Sequence, residues 1–558
     1  MFRKNTDHLQ PDLFELEAPS SEAIRLMIQK TEEYVFYRLI FSKIEEADFA
    51  CLYCNDNGRP NSPVNCMISA LILKERHNWS YSELFKQLHF NLAVRAAIGI
   101  FNFGPLSFNE ATLFNFQNRL RAHFEATGVN LFELVFNQLT RRQVKELNLK
   151  TSIARTDSFM INSNIRRYGR MQLLLEVVLR LYRVLSDSDK AQFKTYLAPY
   201  LSQNSEHYLY HLHGSELPHE FEKLAAVYYR LHHELPASYE DTKEYRIFQR
   251  AFREHFHLDA EDVVTLIPAE ELGSGCLQSP DDEDATYRRK RGTDYRGFTG
   301  NVIETAHPDN PISLITDVSA QPNNVDDSKI LADRLDVVSE VMPDVEEFHF
   351  DGGYGSQSND ELFEEKGITP VQTAVRGRGA AVEMVVEELE PERYEVTCPG
   401  GQTVEATATR RRHKVLFDKD ICANCPFAGK CPSKMQKKGR VWYFDREYFL
   451  AKRRHNQMLK LPPERRKLRP NVETAMYEFV CGKPNHKLTV RELFKANLFV
   501  CAKAISVNFG RIKRLLADDL GISDFFGSLF CDIFERYQHL KLFAPYETSE
   551  HNLIACLA

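Results

Sequence analysis

Thr151-Ser-Ile-Ala-Arg-Thr-Asp157-Ser158 is where this chain changes character. Before it, apolar residues recur at helical spacing, as in Ile24-Arg-Leu-Met-Ile-Gln-Lys30 and Leu131-Phe-Glu-Leu-Val-Phe136. From residue 150 the pattern is that of a strand ending on a carboxylate, Asp157. Two more acids have settings as distinctive. Asp351 closes a second β-like run, Phe348-His-Phe-Asp351-Gly-Gly-Tyr354, and Glu473 lies in a charged, helix-compatible stretch, Arg469-Pro-Asn-Val-Glu473.

Working outward, residues 166 to about 270 return to helical spacing, with an apolar face in Leu173 to Tyr182. Strand signals resume at 298–305 and 311–317, a helix is predicted over 328–339, a strand over 345–350 and a short helix near 361–366. The order β, inserted helices, β, β, α, β, α predicts a mixed α/β core. Upstream, a helix predicted from about Pro63 to Arg76 and a second opening on the capping box Ser80-Tyr-Ser-Glu83 are compatible with a helix-turn-helix, and equally with plain helical packing. Residues 490–539 read as mainly helical.

Each acid has an ordinary explanation by itself. Asp157 can cap or turn the chain, Asp351 can start a turn before its two glycines, and Glu473 can pair with Arg469 across a helical turn. Together they suit a different chemistry. Mg²⁺ is a hard ion that takes oxygen ligands, and two such ions can activate an attacking oxygen and stabilise a leaving one in phosphodiester cleavage. In that arrangement Asp351 bridges the ions, and Asp157 and Glu473 each complete one. Asp317, Asp326 and Asp327 are competing candidates of lower rank.

Charge supports a phosphate partner. The chain carries a formal net charge of −7, but between Glu405 and Arg469 there are 19 Lys and Arg against 6 Asp and Glu. That local excess of +13 leaves −20 elsewhere, and it is local charge that acts on a polyanion. At 43% hydrophobic and 27% charged residues the composition is that of a globular chain with a sizeable core. No run of about 18 uncharged apolar residues predicts a membrane span, and the first residues lack an apolar leader, so the default compartment is the cytoplasm. Twelve cysteines in such a compartment are unlikely partners for disulfides. Four of them, Cys398, Cys422, Cys425 and Cys431, fall in the basic segment with an x2 knuckle and can hold one tetrahedral Zn²⁺. His413 is an alternative ligand, and the Cys51-x2-Cys54 pair is read as structural.

The chain resembles bacterial insertion-sequence transposases of the DDE type. Gly58-Arg-Pro60 to Gly99-Ile100 and Ala111-Thr-Leu-Phe-Asn-Phe116 look like their helical N-terminal domain. Thr156-Asp157-Ser158, Asp351-Gly-Gly-Tyr354-Gly-Ser356 and Arg469-x3-Glu473 followed by Arg491-Glu-Leu-Phe-Lys-Ala-Asn497 look like their three catalytic motifs. The resemblance implies an RNase H-like catalytic core and carries the family's three acids to Asp157, Asp351 and Glu473. It further implies a zinc-ribbon-like role for the cysteine element. Relatives place a Tyr before the last motif's Arg and a Lys after its Glu; here those positions are Arg466 and Val480, and Lys483 is the nearest lysine.

The expected organisation is a flexible arm (1–20), an all-helical DNA-binding domain (21–150), a core (151–165 and 276–395) with a large helical insertion (166–275), a Cys-rich basic element (396–440), the rest of the core with the Glu473 helix (441–520) and a helical tail (521–558). The implied activity is metal-dependent cleavage of double-stranded DNA at the element's ends and transfer to target DNA, by a homodimer with two Mg²⁺ or Mn²⁺ ions. Arg410, Arg411, Arg412, Lys437, Lys438, Arg453, Arg454, Arg465, Arg466, Lys467 and Arg469 are the expected phosphate contacts, with Arg288-Arg-Lys-Arg291 as a secondary patch. The alternatives are a zinc-containing DNA-binding protein with an inactive core, and a nuclease that does not join.

Overall fold

The computed structural model describes residues 1–9, 24, 26–54, 58–101, 104–201, 205–235, 237–373 and 382–518. Its centre is a mixed sheet. Strand β1 (Ile153–Asn162) is ten residues long and buried throughout, as a central strand covered on both faces should be. The helices that follow it, with the hairpin β2 (Phe256–Leu258) and β3 (Val264–Leu266), form an insertion with its own apolar core around Leu174, Phe193, Tyr228 and Phe248. The chain then returns as β4 (Thr286–Lys290), β5 (Thr293–Thr305), β6 (Ile315–Pro322), β7 (Glu347–Phe350) and β8 (Thr369–Gln372).

β5 runs antiparallel to β1 along its whole length. Its other edge is shared, β6 pairing with Phe298 to Glu304 and β4 with Thr293 to Gly297. β7 pairs parallel with β1 and β8 parallel with β7. The sheet therefore has six strands, with β4 and β6 sharing one edge of β5 and β1, β7 and β8 following on the other side. The free edge of β6 is closed by two asparagines of the Leu493–Asp518 helix. Asn508 and Asn497 each exchange a pair of hydrogen bonds with the backbone of Ile315 and Ala320 at 2.8–3.0 Å, standing in for a further strand.

The helical region before β1 is not packed as a separate unit. Phe36, Ile68, Leu84 and Phe132 share one core with Phe159, Phe298, Val302 and Val318 of the sheet and with the Leu493–Asp518 helix. The opposite face of the sheet buries Ile303, Phe348 and Phe350 under Leu331, Leu335 and Phe363. The predicted Pro63–Arg76 helix spans Val64–Arg76 and is buried from Val64 to Glu75, whereas the capped Tyr81–Phe90 helix buries Leu84, Phe85 and Leu88 and leaves Ser82, Glu83, Lys86, His89 and Phe90 exposed.

Three sequence expectations change here. The arm expected at 1–20 does not hold for residues 1–9. Asn5 is buried, its backbone N–H donates to Glu46 Oε2 at 2.7 Å and its amide to Asn65 Oδ1 at 2.9 Å; residues 10–20 lie outside the described residues, as does the tail at 521–558. Asp157 does not end a strand but sits midway along β1, because β5 continues to pair past it to Asn162. The cysteine element is larger than 396–440. A three-stranded sheet, β9 (Val385–Glu390), β10 (Arg393–Thr397) and β11 (Thr403–Glu405), packs with a four-stranded one, β12 (Thr407–Ala408), β13 (His413–Phe417), β14 (Lys434–Gln436) and β15 (Gly439–Phe444), around Tyr394, Val415, Trp442 and Phe444. Exposed glutamates on β9 hid the first strands, since charge on a one-sided sheet looks like an acidic linker.

Candidate active site

Strand register brings the first two acids together. Ile153 lies opposite Glu347 and Arg155 opposite His349 across the parallel β1–β7 pair. Continued by two residues, the same offset sets Asp157 level with Asp351, just past the end of β7. The Asp351 loop is held by its own motif. Asp351 Oδ1 accepts from Gly353 N–H at 2.7 Å, and the fully buried Tyr354 donates its hydroxyl to Asn301 Oδ1 on β5 at 2.6 Å. A Cβ at Gly355 would lie 2.3 Å from the Gln372 amide oxygen, so a larger residue there would displace that side chain, which accepts from Arg454 Nε.

Glu473 is in the first turn of the Val472–Val480 helix, and its carboxylate is largely exposed. One guanidinium connects all three acids. Arg469 Nη2 is in direct ion-pair contact with Asp157 Oδ2 and lies 3.7 Å from Asp351 Oδ2, and Nη1 is 3.8 Å from Glu473 Oε1. Burial pushes the Asp157 carboxyl up to about 6, against the pull of Arg469 and of the Ser158 N–H; the neighbouring Asp351 charge pushes it further up.

A fourth acid, Asp327, lies near these three. Asp327, the first residue of the Asp327–Val341 helix, is 5% exposed, its Oδ1 has no hydrogen-bond partner among the described residues, and Arg288 Nη1 approaches it to 3.7 Å. Burial raises its pKa, Arg288 and Lys290 oppose, and the Asp351 charge adds to the rise. The secondary patch at 288–291 thus borders the acids, Lys290 acting on both Asp157 and Asp327. The other competitors are structural. Asp317 is wholly buried and clamped by Arg334, and Asp326 caps the following helix by accepting from Ser328 N–H.

The expected phosphate contacts divide. Arg410, Arg411, Arg412, Lys437, Lys438, Arg453 and Lys467 are exposed. Arg454 is not available: it is 3% exposed, pairs with Asp360 and donates to Gln372 Oε1 at 2.7 Å, tying the Arg446–Lys460 helix to the core. Arg465 pairs with Glu347 at 2.8 Å, and Arg466 is partly buried. Lys483 is buried over the Phe499 ring with Glu75 at 3.4 Å, so it is a latch and not a free cation.

A second constellation lies in the β-rich element. Cys398, Cys422, Cys425 and Cys431 line one cavity of about 180 Å³. Gln402 donates its backbone N–H to Cys398 Sγ at 3.3 Å and its amide to Cys422 Sγ at 3.4 Å. His413 is stacked on Phe444 and meets the Tyr394 ring edge-on, and it does not line this cavity. As the side chains stand, no group of three or more His, Cys, Asp or Glu among the described residues is arranged to hold a metal ion, and no helix among them is long and apolar enough to cross a membrane.

Two family models match the chain. A transposase domain matches residues 25–119, within the helical region, and a transposase DDE domain matches residues 397–513, which include Glu473, Arg469 and the four cysteines. Neither a curated protein nor a solved structure matches it.

Proposed function

Taking the chain as a transposase of the DDE kind, on its two domain matches, we propose that it cuts DNA at the ends of its own element and joins the freed 3′-hydroxyls to target DNA. Asp157, Asp351 and Glu473 are the ligands of two Mg²⁺ ions, for which Mn²⁺ can substitute. The observation carrying this reading is the convergence of three carboxylates, from a strand, a loop and a helix far apart in sequence, on the single guanidinium of Arg469. An all-oxygen donor set around one positive charge suits a hard divalent cation. Bound there, the ions supply activation of the attacking oxygen and charge stabilisation at the leaving one.

The chain's own groups do the rest. Arg469 offsets part of the acids' charge in the absence of metal, must turn from Asp157 to admit a cation, and is then placed to hold a DNA phosphate through its fork of donors. Tyr354 fixes the Asp351 loop against β5. The strand order β6–β5–β1–β7–β8, with β5 antiparallel and β7 parallel to β1, supports an RNase H-like reading of the core. The exposed cations of the β-rich element, Arg410 to Arg412 with Lys437 and Lys438, are positioned by a folded scaffold to meet phosphates. A homodimer would pair two ends. The reading as an inactive DNA-binding protein is not favoured, since the acids still converge.

The test is a nicking and strand-transfer assay on duplex DNA taken from the flanks of the gene. Cleavage is expected with Mg²⁺ or Mn²⁺ and none with EDTA; equal cleavage in EDTA sinks the metal reading, and nicking without joined product selects the nuclease.

The cysteine cavity fits Zn²⁺, since four thiols face one small space and two sulfurs already accept N–H donors of the kind that support metal thiolates. One zinc per chain is expected by elemental analysis, lost in Cys422→Ser with Cys425→Ser, together with faster proteolysis between β9 and β15. Protein purified without zinc, whose β-rich element resists protease equally before and after chelation, would remove zinc from the structure.

A further inference from the structure

A cleft of about 1290 Å³ lies in the helical region, away from the carboxylates. It exceeds the usual 300–1,000 Å³ of a small-molecule pocket. One wall is the strap of residues 1–7. Phe2 N–H donates to Cys54 O at 3.2 Å, Arg3 N–H to Asn61 Oδ1 at 2.6 Å and Asn61 N–H to Met1 O at 3.1 Å, and the buried Asn5 pins the strap. The facing wall is the Glu110–Thr127 helix, where the Arg119 guanidinium lies 5.0 Å over the Tyr53 ring.

Among the described residues that line this cleft, cations outnumber carboxylates. Arg3, Lys4, Arg59 and Arg119 line it, all four are exposed, and none makes an ion pair among the described residues. Elsewhere most arginines are matched, as Arg155, Arg334, Arg454 and Arg511 are. The one carboxylate lining the cleft among the described residues is Asp7. In a chain of net charge −7, cations without ion pairs gathered around one cleft are a counter-surface for a polyanion, because binding there releases counterions without first breaking internal pairs. Phe90, 80% exposed beside the cleft residue His89, adds an aromatic face at the rim.

We infer that this cleft grips one backbone of duplex DNA at the element's ends. The inference rests on the transposase reading and names the surface that holds its substrate.

The test is fluorescence anisotropy of the full chain on a labelled duplex from the gene's flanks, titrated at several salt concentrations. Arg59→Ala with Arg119→Ala is expected to weaken binding and make the slope of log affinity against log salt shallower by about 2, one per lost phosphate contact. Arg3→Ala with Lys4→Ala, on the other wall, gives the same shift, and unchanged thermal melting of both variants separates lost contacts from unfolding. Wild-type affinity and slope in both double variants overturn the cleft proposal while leaving the transposase reading intact. Stronger competition by unlabelled single strand than by duplex overturns the choice of occupant. A wild-type chain that binds no duplex overturns the cleft together with the transposase reading.

Discussion

Asp351→Ala is expected to abolish strand cleavage and to leave DNA binding at or above the wild-type level. Metal-assisted stabilisation of transition-state charge amounts to several kcal/mol, and each ~1.4 kcal/mol is tenfold in rate, so the loss is at least about a thousandfold. The structure makes this position the cleanest to test. The Asp351 side chain is about one-third exposed, lies 3.7 Å from Arg469 and forms one hydrogen bond within its own turn, so alanine removes a ligand without opening the core. Binding survives because the change deletes a negative charge beside the phosphate path. Asp157→Ala is a harsher probe, since it strands the Arg469 guanidinium that now contacts it. Nicking and anisotropy on the same duplex read the two effects separately; cleavage retained by the alanine variant removes Asp351 from the mechanism.

Glu304→Gln is expected to lower stability by about 3–5 kcal/mol, the cost of breaking a buried ion pair by removing one partner, and to slow cleavage as well. Glu304 is fully buried on β5 directly across from Arg155 on β1. Its two oxygens each accept from an arginine, Oε1 from Arg155 Nε at 2.7 Å and Oε2 from Arg511 Nη1 at 2.6 Å. Arg155 Nη1 then donates to Leu468 O at 2.9 Å, the residue before Arg469, and Arg511 Nη2 to Glu478 Oε2 at 3.0 Å, on the helix that begins beside Glu473. One carboxylate thus holds both ends of the segment that presents Arg469 and Glu473. Glutamine keeps the shape but leaves two buried guanidinium groups short of charge. Urea unfolding measures the first effect and nicking by the folded variant the second. A variant within about 1 kcal/mol of wild type, below the range for a buried pair, would show that this network is not what holds the segment.

What the sequence alone determined is the set of local elements and the chemistry-bearing residues. The strand around Asp157, the helix at Val64–Arg76, the capping box at Ser80 and the separate motifs that carry Asp351 and Glu473 are all written in short-range pattern, because periodicity, caps and turn residues act over a few positions. The four cysteines could be grouped because their spacing is itself local. Tertiary structure alone decided the pairings. Asp157 meets Asp351 through the β1–β7 register, and Arg469 turns from a generic phosphate contact into the group that touches all three acids. Arg454 and Lys483 look like their exposed neighbours in a basic stretch, yet Asp360 and Glu75, both hundreds of positions or many tens away in the chain, draw them inside. The same holds for the cations left unpaired around Arg59 and Arg119. Whether a charge faces water, a buried partner or a second charge depends on distance in space, and for residues far apart in the chain only the packed fold sets that distance.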